Sequence, residues 1–287
     1  MTDIILHGCN GAMGQAVRRI AGDLNVRIVA GISGDLDVTK AAGIDLKKES
    51  VIPGDLAVNK AAGISGESAA FSEGFPVFAQ IADCDIKADA ILDFSLAEAV
   101  SPLIRYAVKN KLPSVICTTG LTPEQENEIE KAAEVIALFH SSNMSLGISL
   151  LTTILQRVSR ILYNSGFDIE ILEKHHNRKI DAPSGTAYML ANTVNASIGN
   201  VLQPTYNRSQ RRERREHNEL GLSSIRGGTI CGEHSVIFAG KDELLEFKHT
   251  AFSREIYAVG ALNAAKYIKD KAPGIYTMES LINLEEL

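Results

Sequence analysis

Cysteine is scarce in this chain and nowhere paired in sequence. Its four cysteines, Cys9, Cys84, Cys117 and Cys231, show no C-x-x-C spacing, which argues against a zinc site or a dithiol redox centre. No metal is expected, and isolated thiols of this kind are mostly small core residues in a reducing compartment. Long apolar runs are missing too: none approaches the roughly 20 residues that span a bilayer. The N-terminal MTDIILHGCNG has no cationic segment, so a secretory signal is not expected either. Nor is there an excess of positive charge. With 29 Lys and Arg against 35 Asp and Glu, the formal charge is −6, and a nucleic-acid footprint over the whole chain is not expected. These absences leave a soluble, cytoplasmic protein. Its 287 residues, 45% hydrophobic and 22% charged, are enough for two domains or one large α/β unit.

What is present begins with three glycines. Ile4–Leu6 is a short apolar strand, and Gly8, Gly11 and Gly14 follow at intervals of three before a helical pattern sets in. Glycine there lets the backbone turn sharply and approach a pyrophosphate, while a helix N-terminus offers unpaired N–H groups and a positive dipole end. A plain glycine-rich turn has the same pattern. The position of this one after the first strand, with a second apolar strand at Val26–Ile32, points to dinucleotide binding.

The alternation continues through a strand at Ala88–Ser95, a helix at Glu98–Asn110 and a strand at Leu112–Gly120. Thr122, Pro123 and Gln125 then form a capping-box helix start, and Val135–Phe139 is a further strand. This order predicts an α/β, Rossmann-type doubly wound parallel sheet with its ligand at the carboxyl ends of the strands. Those ends carry Gly8, Cys9, Asn10, Gly11, Ala12 and Met13, then Ser33, Phe94 and Ser95. Cys117, Thr118 and Thr119 follow, and after the last strand Ser141, Ser142, Asn143 and Met144. At the tip of the second strand an acid would take the ribose hydroxyls of NAD, and an arginine the 2′-phosphate of NADP. Here the tip is Ser33-Gly34, with Asp35 one place late and Lys40 further on, so use of both NADH and NADPH is expected. Between Asp35 and Gln80, TKAAGID at Thr39 is echoed by NKAAGIS at Asn59. Two copies fall short of the about three that a solenoid needs, and the segment reads as a connection without chemistry.

After Gly147 the pattern changes. A helix at Ile148–Tyr163 leads to a strand, DIEILEKHH from Asp168, and then to a helix in GTAYMLANTV. Strands around Ser223–Arg226, Glu233–Phe238 and Leu244–Ala251 follow. They predict a second, α+β domain with a mixed, open β-sheet. A helix near Arg254–Lys269 and the tail return to βα texture. The expected division is 1–144 with 255–287 as the dinucleotide-binding domain and 145–254 as the substrate domain, with crossings near Ser145 and Arg254. Between the helix and the later strands, NRSQRRERREHNEL (Asn207 to Leu220) holds five arginines interleaved with glutamates. It reads as a solvated helix or loop, or as a subunit contact.

The chemistry concentrates in EKHHNRKIDAPSGTA, Glu173 to Ala187. Strand alternation places Ile169, Ile171 and Glu173 on one face and delivers His175 and His176 at the strand's end, with Lys179 just beyond. Ser184 is an N-cap after Pro183, so Ser184, Gly185 and Thr186 put backbone N–H groups at a helix N-terminus. An anion site beside two imidazoles and an ammonium suits a small dicarboxylate with a bond awaiting a proton. Two neighbouring histidines alone are more often ordinary surface or core residues. The lysine and the helix start within the same stretch reverse that reading.

The stretch EILEKHHNRKIDAPSGTA resembles the E-x-H-H-x-x-K-x-D-A-P-S-G-T-A signature of the 4-hydroxy-tetrahydrodipicolinate (dihydrodipicolinate) reductases. GCNGAMG, DFS, VICTTGL, SSNMSLGI, ELGLSSIRGGTICGEHSVIF and HTAFSREIYAVGAL are similar to further motifs of that family along nearly the whole chain. The resemblance implies NAD(P)H-dependent reduction of a cyclic imine dicarboxylate in the diaminopimelate branch of lysine biosynthesis. It implies that His175 is the acid/base histidine and Lys179 the proton donor, with His176, Gly185 and Thr186 on the substrate's carboxylates. It also implies that Gly8 to Met13, Cys117 to Thr119 and Ser141 to Met144 touch the cofactor, and that four copies assemble through the second domain's sheet. Ala12 departs from the family's frequent arginine, Cys117 from its glycine, and Ser33-Gly34 from the acid-plus-arginine pair of some members. Those departures bear on cofactor choice rather than on the reaction. Arg226, His234, Lys248, His249 and Arg254 are further cations for a dianionic substrate, none singled out. Two other readings compete: another two-domain dehydrogenase of the aspartate or sugar-acid type, and a nucleotide-sensing regulator. The latter would be expected to have lost His175 or Lys179, and both are present.

Overall fold

The structure of the protein, a computed structural model, describes residues 1–34, 69–72, 74–141, 143–209 and 211–282. Lys40, Asp35 and both KAAGI copies lie outside the described residues, as does Ser142. The chain forms two compact units, Met1–Ser142 with Ala261–Thr277, and Asn143–Gly260 with the described residues 278–282. The crossings therefore fall after Ser142 and after Gly260, against expectations near Ser145 and Arg254, and the segment from Met278 groups with the second unit.

In chain order the elements are β1 (Thr2–His7), α1 (Ala12–Ile20), β2 (Val26–Ile32), β3 (Ala69–Ser72), β4 (Phe75–Phe78), β5 (Ala90–Asp93) and α2 (Ala97–Asn110). There follow β6 (Ser114–Ile116), α3 (Pro123–Ala132), β7 (Ala137–His140), α4 (Leu146–Asn164), β8 (Asp168–His175) and α5 (Gly185–Ser197). The last are β9 (Gln203–Thr205), β10 (Glu219–Arg226), β11 (Gly232–Ala239), β12 (Leu244–Ala251), α6 (Glu255–Ile268) and β13 (Gly274–Tyr276).

The first unit is built on a sheet of order β13-β7-β6-β5-β1-β2-β4-β3. All its pairings are parallel except that of β3 with β4 at the edge. β1 lies between β2 and β5, so the strand order reverses beside it, which is where an open α/β sheet holds its ligand. Strands covered on both faces read as unbroken apolar runs: Ile4, Ile5 and Leu6 of β1 and Ile91 and Leu92 of β5 are fully buried. The capping box is formed as expected. Gln125 N–H donates to the Thr122 hydroxyl at 3.3 Å, and Thr122 N–H donates to the Gln125 side chain at 3.0 Å.

The second unit has a mixed sheet of order β12-β11-β8-β10-β9. β8 pairs parallel with β10 and antiparallel with β11. One face packs Ile169, Ile171, Leu222, Val236 and Phe238 against Leu155 and Leu190 of α4 and α5. β10 begins at Glu219, four residues before the strand expected from sequence, and the basic stretch ahead of it is not simply a solvated run. Arg215 donates to Glu170 at 3.0 Å, to Asp168 at 2.6 Å and to the carbonyls of Ile169 and Glu219 at 2.9 and 2.6 Å. Arg208 is bonded to Glu219. Gly221 lies beneath this network: a Cβ there would lie 1.6 Å from a Glu170 carboxylate oxygen and would push that side chain aside.

Arg215→Ala should destabilise the protein by about 1–3 kcal/mol, because it strips charged hydrogen bonds and strands two carboxylates on the sheet. Urea denaturation checks this; an unchanged midpoint would show the arginine to be decoration.

Candidate active site

The second unit's site is organised by register. Antiparallel pairing sets His234 opposite Glu173, and parallel pairing sets Arg226 opposite His175 and Ser224 opposite Glu173. Alternation then turns Glu173, His175, Arg226 and His234 toward the helix-covered face. Glu173 is fully buried and accepts from every side. Arg226 forks onto both its oxygens at 2.7 and 2.8 Å, Ser184 N–H donates at 3.2 Å, and His175 Nδ1 lies 2.5 Å from Oε2. Burial alone would push this carboxyl up, but the hydrogen bonds of Arg226, His175 and Ser224 outweigh it and hold it at about 2. Because a carboxylate can only accept, Nδ1 of His175 carries the proton and Nε2 is the free edge. That edge lies over Gly232, where a Cβ would come within 3.1 Å.

Ser184 caps α5, its hydroxyl accepting from Ala187 N–H at 3.2 Å and meeting His234 Nε2 at 2.9 Å. Both polar groups of Ser184 are thus committed to the frame, and the expected anion site narrows to the Gly185–Thr186 end of the helix. Lys179 Nζ lies 2.8 Å from Asp181 Oδ1, and the Gly185 N–H also faces that carboxylate; these contacts hold the Asp181 carboxyl below the usual carboxylate range, with Lys179 the larger cause. His176 has a buried Nδ1 with no hydrogen-bond partner among the described residues, as has His249. Asn143 Nδ2 donates to Thr186 Oγ1 at 3.3 Å, and Ser145 Oγ lies 3.3 Å from His249 Nε2. Met144 is buried, its carbonyl set against Gly260, where a Cβ would fall 1.8 Å away.

In the first unit, Gly8, Asn10, Gly11 and Ser33 border one cleft of about 520 Å³. The cradle is made for close approach: a Cβ on Gly8 would meet the Phe94 carbonyl at 2.4 Å, and one on Gly14 the Gly8 carbonyl at 2.3 Å. No side chain caps α1 behind Gly11, which leaves the first-turn N–H groups of Ala12 and Met13 open to an anion. These features fit a dinucleotide pyrophosphate. Cys9 and Cys117 are buried, with the Cys9 sulfur against Gly31, and neither borders the cleft, nor do Ala12, Met13, Thr118 or Thr119. The Thr118 hydroxyl donates to Asp93 at 2.7 Å, while Thr119 and Ser141 stand at the ends of β6 and β7. Among the described residues no group of three metal-ligating side chains occurs, and no helix is long and apolar enough to cross a membrane.

A Rossmann-type sheet with a glycine cradle, joined in one chain to an α+β unit bearing a histidine–lysine cluster, is the build of a two-domain dinucleotide-dependent oxidoreductase. Residues 2–144 match the family described as dihydrodipicolinate reductase, N-terminus, and residues 147–282 its C-terminus. The chain belongs to the dihydrodipicolinate reductase family. It is 42% identical over 283 residues to the 4-hydroxy-tetrahydrodipicolinate reductase of Clostridium novyi (strain NT), covering 98% of each chain. It is 40% identical over 283 residues to that of Clostridium tetani (strain Massachusetts / E88), covering 99% of this chain and 98% of the other. Its fold is that of a dipicolinate-bound dihydrodipicolinate reductase from Paenisporosarcina sp. TG-14, with a TM-score of 0.73 at 23% identity over 98% of this chain and 99% of that one.

Sequence reasoning gave no role to Glu173 or Asp93 and singled out neither Arg226 nor His234. A signal was available for two of these: a charged residue in period-2 step with Ile169 and Ile171, and a histidine in step with Val236 and Phe238, must face the core.

His234 and Glu173 contribute to the acid stability of this unit, alongside smaller downward shifts at His176, His249, Asp181, Glu219 and Glu233. His234 is pushed down to about 4 from its ordinary 6.5, first by burial and next by His175. A depressed imidazole means that the unfolded chain binds more protons between those values, so stability is lost as pH falls from 6.5 to 4. The depressed Glu173 adds a second loss from 4.5 down to about 2. His234→Gln should flatten the upper leg of a melting-temperature-versus-pH curve and spare the lower. An upper leg as steep as in the unsubstituted protein would contradict this assignment.

Proposed function

We propose that this chain catalyses the NAD(P)H-dependent reduction of 4-hydroxy-tetrahydrodipicolinate (dihydrodipicolinate) to tetrahydrodipicolinate, in the diaminopimelate branch of lysine biosynthesis, and that it acts in the cytoplasm. The observation that carries this is the buried Glu173 that holds both His175 and the start of α5, with Lys179 paired to Asp181 at that helix end, in a chain of this family. When bound, the reduced nicotinamide supplies the hydride. Gly185 and Thr186 receive a substrate carboxylate at the helix end, with His176 beside them. Asp181 now faces both Lys179 and Gly185 N–H; a substrate carboxylate arriving there displaces it and frees the ammonium. Lys179 then delivers a proton to the ring position left electron-rich by the hydride, while His175, oriented through Nδ1, presents Nε2 as acid/base and supplies neighbouring positive charge.

The chain assembles as a homotetramer in this reading. The sheet face turned away from α4 and α5 presents Leu172, Ile237, Ile225 and Leu244, the last two 45% and 62% exposed, an apolar strip suited to a second copy.

The direct test is a coupled assay in which dihydrodipicolinate synthase supplies the substrate and nicotinamide absorbance is followed. Turnover is expected with both cofactors, their kcat/KM values within roughly thirtyfold, since Ser33-Gly34 offers no charge to discriminate by more than about 2 kcal/mol. No oxidation of NADH or NADPH would sink the proposal. Lys179→Ala should lower kcat by about a hundredfold or more with a smaller change in KM, because proton delivery is a transition-state task. Near-normal kcat in that variant would remove Lys179 from the reaction.

A further inference from the structure

We infer that His7 reads the 2′ position of the cofactor's adenosine ribose, its imidazole accepting from a hydroxyl when neutral and donating to a phosphate when protonated, with Asp93 as its positioning residue. This rests on the dinucleotide-binding reading of the first unit.

His7 closes β1 immediately before the glycine turn, and its Nδ1 lies 2.8 Å from Asp93 Oδ1. Asp93 is fully sealed from solvent. It also accepts from the Thr118 hydroxyl at 2.7 Å and Ser95 N–H at 3.1 Å, so it stands as an acceptor toward each of its neighbours. Nδ1 therefore carries a proton, and the ring's variable edge is Nε2. His7 borders the cleft over the glycine turn and also a larger groove of about 810 Å³ that runs past Gln80 to Arg105 of α2. Asp93 borders neither, so Nε2 is the edge that His7 presents to them. Gly34 borders both hollows as well, and Ser33 borders the cleft. A dinucleotide with its pyrophosphate over the glycines and its adenosine toward the groove passes this junction at the ribose.

Ser33 and Gly34 carry no charge, so an imidazole edge there, able either to accept or to donate at Nε2, is what can accommodate both a 2′-hydroxyl and a 2′-phosphate. Asp93 on β5 faces His7 directly. Cys117 beyond β6 is buried with its thiol pushed well up by desolvation, Asp93 adding to the effect. Glu98 of α2 lines the cleft, and Asp85, Arg105 and Lys109 line the groove.

The experiment is calorimetric titration of the whole protein with NADH and with NADPH, in two buffers of different ionisation heat, for the unsubstituted chain, His7→Ala and His7→Asn. The unsubstituted protein should take up more protons with NADPH than with NADH. Both variants should lose that excess and bind NADPH about tenfold or more weaker, the loss of a hydrogen bond to a charged group, with NADH affected less. His7→Asn retains a donor for Asp93, so it remains decisive if His7→Ala fails to fold. Unchanged affinities and unchanged proton uptake in His7→Asn would show that His7 only satisfies Asp93, and would overturn the inference while leaving dinucleotide binding intact. Failure of the unsubstituted protein to bind either nucleotide would overturn both.

Discussion

A carboxylate buried at the end of a strand is the constraint on which the second unit's chemistry depends. Removing such an ion from water costs several kcal/mol unless its lone pairs are met by well-placed donors. Glu173 meets that condition only if β8, β10 and α5 arrive together: Arg226 comes from β10, His175 from β8 itself, and the Ser184 N–H from the start of α5. A slip of one residue in either pairing would turn Arg226 or His234 to the wrong face and leave the charge unmatched. The same interaction that makes the register unique also fixes the tautomer of His175 and sets the helix N-terminus beside Lys179. Stability of the sheet and orientation of the His175 ring are one requirement here.

The first unit repeats the device in a different fold. Asp93, at the carboxyl end of β5, is sealed and bonded to His7 at the end of the neighbouring β1. In each unit a buried strand-end carboxylate engages Nδ1 of an imidazole. The two differ in what surrounds the pair. Glu173 has a guanidinium forked onto it, whereas Asp93 relies on a hydroxyl and an amide. The surroundings differ accordingly, with one carboxylate set in an ion cluster and the other among neutral donors and a single imidazole.

The sequence made the alternating βα order legible because covered parallel strands are short apolar runs and the helix starts carry their own caps, as Thr122-Pro123-x-Gln125 does. It also located the His175–Lys179–Ser184 cluster, since these residues are adjacent in the chain. The first half of β10 was hidden: Glu219 and Gly221 are poor strand formers, and their place in the sheet is secured by Arg215 and Arg208 reaching from outside it. β9 is three residues long and carries too little pattern to read. The pairings of His7 with Asp93 and of Glu173 with Arg226 join residues 86 and 53 apart; no local signal reports them, and only the sheet register brings them together. Ser184 was read as an anion-binding group, yet its polar atoms serve Glu173, His234 and its own helix.

The central claim is that Glu173 dictates which nitrogen of His175 is free. Long-range proton–nitrogen NMR of the histidine rings, at a pH where His175 is neutral, tests it most directly. The account predicts a His175 ring protonated at Nδ1 and bare at Nε2 in the unsubstituted protein, and loss of that preference in Glu173→Gln. A ring protonated at Nε2, or one indifferent to the Glu173 substitution, would contradict it.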